Sequence, residues 1–130
     1  MKILVGYEKS KVADHALKIA MKHAKAFGAQ LFIVTSMKGG GEVPREEFET
    51  AEKNLEQVES AVRKEGIACK TRLSFEGLSP GEDLVAIAKN KDVEEIVVGV
   101  KRRSKVGKMI FGSNARYVIL NAHCPVLAVK

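Results

Sequence analysis

Short apolar runs alternate with longer amphipathic stretches from one end of this chain to the other, and that alternation leaves few folds open. Lys2–Tyr7 (KILVGY) is almost continuously apolar and bounded by charge, the pattern of a strand covered on both faces. From Lys11 to Phe27, apolar residues recur three or four apart at Ala13, Ala16, Leu17, Ala20, Met21, Ala24 and Phe27, which predicts an amphipathic helix. Ser10 suits its N-cap and Gly28 its stop. Leu31–Ser36 (LFIVTS) reads as a second strand, rich in bulky and β-branched residues, and the glycine-rich stretch after it as a loop. A more polar helix follows from about Pro44 to Lys64, with Phe48, Ala51, Leu55, Val58 and Val62 as a narrow apolar stripe. Cys69–Phe75 alternates in the manner of a less buried, edge strand. Ser79-Pro80 opens a third helix with Leu84, Val85, Ile87 and Ala88 on its apolar face. Ile96–Val98 is the fourth strand, Ser113–Ala122 the fourth helix (Ala115, Val118, Ile119, Ala122) and Val126–Val129 the last strand.

The order βαβαβαβαβ implies a parallel sheet joined by right-handed crossovers, with helices on both faces. No break divides the chain, so residues 1–130 are expected to form a single three-layer α/β domain. Two strand orders suit five strands, the Rossmann-like 3-2-1-4-5 and the flavodoxin-like 2-1-3-4-5. The first is preferred, because strands 1 and 4 are the most uniformly apolar and so the most central. The chain then reverses between strands 1 and 4, and ligands bind beyond their carboxyl ends. Those ends are Gly6-Tyr7-Glu8 and Val98-Gly99.

Charge points to the same place. The chain carries +6 overall, yet Val100–Lys130 holds seven Lys or Arg and no acid, more than the whole surplus. Five of the seven, Lys101, Arg102, Arg103, Lys105 and Lys108, lie in one loop between Gly99 and Gly112. Gly112-Ser113 then starts the fourth helix. A helix start offers backbone N–H groups without partners, and its dipole favours negative charge. A phosphate, carried by a nucleotide, is the guest such a site suits. The same Gly-Ser step also suits a plain helix start, Ser for the cap and Gly for the turn.

Other chemistry finds little support. Neither GxxxxGK[ST] nor GxGxxG occurs. Cys69 and Cys124 lack CxxC spacing and read as buried reduced thiols, and His15, His23 and His123 form no ligand pattern with them, so no metal site is expected. The two helical histidines read as surface residues and His123 as part of a turn. The basic loop has no stacking aromatics among its charges, which argues against nucleic acid. A phospho-receiver domain would need clustered acids after strand 1 and an Asp after strand 3; Glu8 and Phe75-Glu76-Gly77 do not supply them. No apolar run approaches the roughly 20 residues of a membrane span, and the N-terminus has no signal-peptide pattern, so the expected location is the cytoplasm, away from membranes.

The chain resembles the universal stress protein family over nearly its whole length. The opening ILVGYEKSKVADHALKIA is similar to that family's first strand and helix, and the closing VVGVKRRSKVGKMIFGSNARYVILNAHCPVLAVK to its last two strands, nucleotide loop and last helix. ATP-binding members carry Gly, two residues, Gly, nine residues, then Gly-Ser or Gly-Thr. Here the spacing holds from Gly99 to Gly112-Ser113, with Arg102 where the middle glycine stands. Arg102 removes a close backbone approach but adds a guanidinium suited to phosphate, so it either blocks the site or holds the guest by charge. Glu8-Lys9 stands where binders have Asp and Gly, Ser36 where a Val flanks the adenine, and Asn114-Ala115 where a small apolar residue and Thr follow.

The resemblance implies a stress-response protein binding an adenine nucleotide, ATP above all, as a regulatory ligand. Gly6, Val98, Gly99, Gly112, Ser113 and Asn114 would form the crevice and the helix start; Lys101, Arg102 and Arg103 would offset phosphate charge; Tyr7, Glu8 and Ser36 would line the adenosine side. Mg2+ is expected only with bound triphosphate. No residue set makes a catalytic constellation, so any ATP hydrolysis is expected to be slow. The resemblance also implies a homodimer through the last strand, Pro125–Lys130, whose open edge invites pairing with a copy. The alternative is a homodimeric interaction module of the same fold without nucleotide; an adenine-nucleotide hydrolase lacks motif support.

Overall fold

Nine elements follow one another in the computed structural model, which describes residues 1–37, 43–76, 78–100 and 112–130. They are β1 (Lys2–Gly6), α1 (Lys11–Phe27), β2 (Gln30–Ser36), α2 (Arg45–Lys64), β3 (Cys69–Ser74), α3 (Pro80–Asn90), β4 (Glu95–Gly99), α4 (Ser113–Asn121) and β5 (Val126–Val129). Local chemistry sets several of the boundaries. The Ser10 side chain accepts the Ala13 N–H at 3.1 Å and caps α1. Gly28 ends that helix at φ 64°, a left-handed conformation costly to any residue with a Cβ. Ser79 caps α3 by accepting the Glu82 N–H, with Pro80 in the first turn as expected.

All five strands are parallel in the order β3-β2-β1-β4-β5, the preferred of the two expected orders. β1 is central: Leu4 lies between Phe32 of β2 and Ile96 of β4. Side chains alternate across the sheet, so each strand feeds two cores. Ile3, Val5, Ile33 and Val97 pack with Leu17 of α1 and with Leu55 and Val62 of α2. Leu4, Val34, Ile96 and Val98 pack on the opposite face with Leu84, Ile87 and Ala88 of α3 and Val118 of α4. Burial on both faces is why these strands read as unbroken apolar runs. Each fully buried Ile, Leu or Val contributes about 1.5–3 kcal/mol.

Some expectations are corrected. Phe27 and Ile119 were placed on apolar helix faces by periodicity, yet they are 60% and 41% exposed. Phe27 sits in the last turn of α1 and meets the ring of His23 edge-on. α4 is short, and Val118 is the buried residue of its face. β3 ends one residue before Phe75, which turns outward and packs edge-on against Phe48. His23 is half-buried instead of free on the surface, its Nδ1 2.9 Å from a Glu95 carboxylate oxygen. Both cysteines are free thiols, but only Cys69 is buried; Cys124 is half-exposed.

Candidate functional site

β1 and β4 are neighbours whose connections leave on opposite sides, and a cavity of about 390 Å³ opens beyond their carboxyl ends. Gly6, Tyr7 and Glu8 supply one wall, Val98 and Gly99 another, and the start of α4 (Gly112, Ser113, Asn114) a third. Ser36 reaches in from the end of β2. Every proposed site residue that the structure describes therefore borders one hollow; Lys101, Arg102 and Arg103 lie outside the described residues, as do Lys105 and Lys108.

The α4 end shares with α2 the lack of a side-chain cap but differs from the other helix starts in its charge. Its N-cap is Gly112, with no side chain to cap the first turn, and no described residue stands within 4 Å of where a Cβ would be. Its first intrahelical bond runs from the Arg116 N–H to the Gly112 carbonyl at 3.0 Å, so the N–H groups of Ser113, Asn114 and Ala115 precede it. α1, α2 and α3 all carry acids in their first turns, namely Asp14, Glu46 and Glu47, and Glu82 and Asp83; α4 carries none. The positive end of this dipole is left uncompensated by side-chain charge among the described residues, and it faces the cavity.

Two of the expected side chains point their polar groups elsewhere. The Tyr7 ring is buried and its hydroxyl donates to Asp14 at 2.7 Å. Burial first, then that hydrogen bond and the nearby carboxylates, push the phenol well above its ordinary range. Tyr7 thus offers the hollow backbone and ring surface. The Asn114 side chain accepts the Gly81 N–H at 2.9 Å, so it ties α4 to α3. Gly81 is required at this joint, because a Cβ there would stand 2.8 Å from the Asn114 carbonyl oxygen and 3.1 Å from Tyr117 Cβ. Glu8 is exposed at the rim, where it accepts from the Ser10 hydroxyl at 3.2 Å.

At the end of β2, the Ser36 hydroxyl donates to Asp83 at 2.7 Å. Sequence reasoning missed Asp83, which is only 2% exposed. A signal was present: Asp83 precedes Ile87 by four residues and so falls on the apolar face of α3. Val34, Leu84 and Val118, read only as core, also line the hollow and give it apolar walls. A second, more open recess of about 570 Å³ adjoins it through Tyr7, Glu8 and Ser36, and Glu46 and Glu47 of α2 make its far wall acidic. Among the described residues, no group of three His, Cys, Asp or Glu is placed to hold a metal ion. Nor is any described helix long and apolar enough to cross a membrane.

Comparison with known proteins agrees with this architecture. The universal stress protein family matches residues 1–130. A universal stress protein of Methanocaldococcus jannaschii is 31% identical over 140 aligned positions, which cover 99% of this chain and 81% of that one. Among solved structures, a universal stress protein from Archaeoglobus fulgidus superposes with a TM-score of 0.90 at 38% identity, covering 100% of this chain and 98% of the other. Another from the same organism, solved in complex with dAMP, superposes with a TM-score of 0.85 at 34% identity, again covering 100% and 98%. Sequence and fold agree over the full length, and the chain belongs to the universal stress protein family.

Proposed function

We propose that this protein is a stress-response regulator that binds an adenine nucleotide, ATP or a relative, in the cavity beyond β1 and β4. The observation that carries this reading is the start of α4: an uncapped helix N-terminus without acids, facing a half-open hollow. Phosphate belongs at that end, and the acidic recess beside α2 would repel it. The base then lies toward Ser36, beside the apolar wall that Val34 and Leu84 contribute. The dAMP complex of the Archaeoglobus fulgidus relative supports a nucleotide as the guest. A triphosphate would bring Mg2+ with it, and the basic residues from Lys101 to Lys108 would add charge. The role is binding, with hydrolysis slow at most.

The test is mass spectrometry of nucleotide released from freshly purified protein, paired with titration of ATP and AMP. Gly112→Asp is the companion variant. Its Cβ meets nothing within 4 Å among the described residues and Asp is a favourable N-cap, so the fold is expected to be kept while a carboxylate occupies the phosphate end. Affinity is expected to fall at least tenfold. Binding unchanged by Gly112→Asp, or no adenine nucleotide bound by the native protein, would overturn the reading.

One observation favours a homodimeric assembly alongside it. β5 is an edge strand, and α4, which packs on it, leaves Ile119 and Leu120 exposed, Leu120 at 71%. A copy of the chain pairing along β5 would cover this margin, in the homodimer that we propose.

A further inference from the structure

Ser36 borders the cavity from the end of β2, and its hydroxyl has only one proton. Asp83 Oδ2 lies 2.7 Å from Ser36 Oγ. Asp83 is buried in the first turn of α3, where the helix dipole favours negative charge. A carboxylate only accepts, so the Ser36 proton is directed to Asp83. Ser36 then keeps only lone pairs for a guest. A freely rotating hydroxyl would greet an amino group and a carbonyl alike; one committed to a buried carboxylate does not.

The surroundings sharpen this polarity. Val34 precedes Ser36 by two residues on the same face of β2, and Leu84 follows Asp83 on α3; both line the hollow with apolar surface. A base reaching this wall would meet apolar surface beside the Ser36 oxygen. On the reading that the cavity takes a nucleotide, on which this step rests, we infer that Ser36, oriented by Asp83, is a specificity residue. It accepts from the exocyclic amino group of the base and rejects bases that present a carbonyl or bare carbon there. A carbonyl would set two acceptors face to face with no proton between them.

The experiment measures binding of AMP, IMP and purine riboside monophosphate to the native protein, to Ser36→Ala and to Asp83→Asn. The native protein is expected to prefer AMP by about tenfold or more over both analogues, the worth of one well-placed hydrogen bond. Ser36→Ala brings AMP and purine riboside monophosphate within about twofold of each other. Asp83→Asn, whose amide can donate as well as accept, no longer fixes the direction of this bond, and the preference for AMP over IMP is expected to shrink. Equal native affinity for the three ligands overturns the inference while the nucleotide reading stands. So does a Ser36→Ala variant that keeps the AMP preference, or one that loses all three ligands equally. If the native protein binds none of them, nor ATP, the nucleotide reading itself fails.

Discussion

Ser74 holds a buried side-chain oxygen for which the described residues provide no hydrogen-bond partner. It stands opposite Ser36 in the parallel register, on the sheet face that carries Asp83, yet the Ser36 hydroxyl already engages that carboxylate. An unpaired buried hydroxyl costs free energy that an alanine would not. Ser74→Ala is therefore expected to leave stability unchanged or raise it by up to ~1 kcal/mol, read from urea unfolding midpoints. A loss beyond ~1 kcal/mol would reveal a partner for that oxygen. Ser36 and Ser74 look alike in sequence, a serine closing each of two adjacent strands. Sequence could not tell them apart, because their difference depends on Asp83 from another element.

Element boundaries were legible wherever one residue's backbone chemistry decides them. Ser10, Gly28 and Ser79-Pro80 mark the ends of α1 and the start of α3 just where expected, since capping and left-handed turns are local. Faces were less legible. Periodicity assigned Phe27 and Ile119 inward, but a stripe does not say how far a helix stays over the sheet. Asp83 was passed over because an acid in a first turn has a ready explanation in the helix dipole. At the far edge, the Pro125 and Val129 carbonyls accept from Ile96 and Val100 of the β4 side. Strand alternation then turns the N–H and C=O groups of Val126 and Ala128 to the open margin. Ala128→Pro deletes an outward donor without touching the β4 ladder, a position where an edge strand tolerates proline. It is expected to weaken the proposed dimer at least tenfold in sedimentation equilibrium while nucleotide affinity stays within about twofold. An unaltered dimer would place self-association on another surface.

For the whole molecule, strand order and the site of the cavity followed from two facts in the sequence: strands alternate with helices, and the first and fourth strands are the most apolar. What fills the hollow was not legible, because an arginine at position 102 can either block a phosphate or pair with it, and the two readings predict opposite effects. The fold as a unit also has an alkaline limit. Burial, chiefly, pushes the Cys69 thiol up to about 11; nearby Glu59 adds to the shift and Arg63 opposes it. The unfolded chain releases that proton first, near the ordinary value of ~8.5. Stability linked to Cys69 is thus fully present below about pH 8.5 and is lost as pH climbs toward 11. The buried phenol of Tyr7 carries the same sign above pH ~10. Unfolding free energy is expected to fall by on the order of 2 kcal/mol over pH 9–11, and the slope should flatten in Cys69→Ala. An identical slope in that variant would assign the loss to other groups.

The amide of Gly81 clasped by Asn114 has a mechanical corollary. Asp83, which holds the Ser36 hydroxyl at the proposed base end, and the opening turn of α4, which would receive phosphate, belong to two helices fastened to each other at that clasp. On the proposed nucleotide reading they would act as a single jaw set against the strand tips, joining the contacts to the guest's two ends. A molecule too short to touch both extremities would leave this jaw half-loaded, and the protein would thereby gauge ligand span as well as ligand identity.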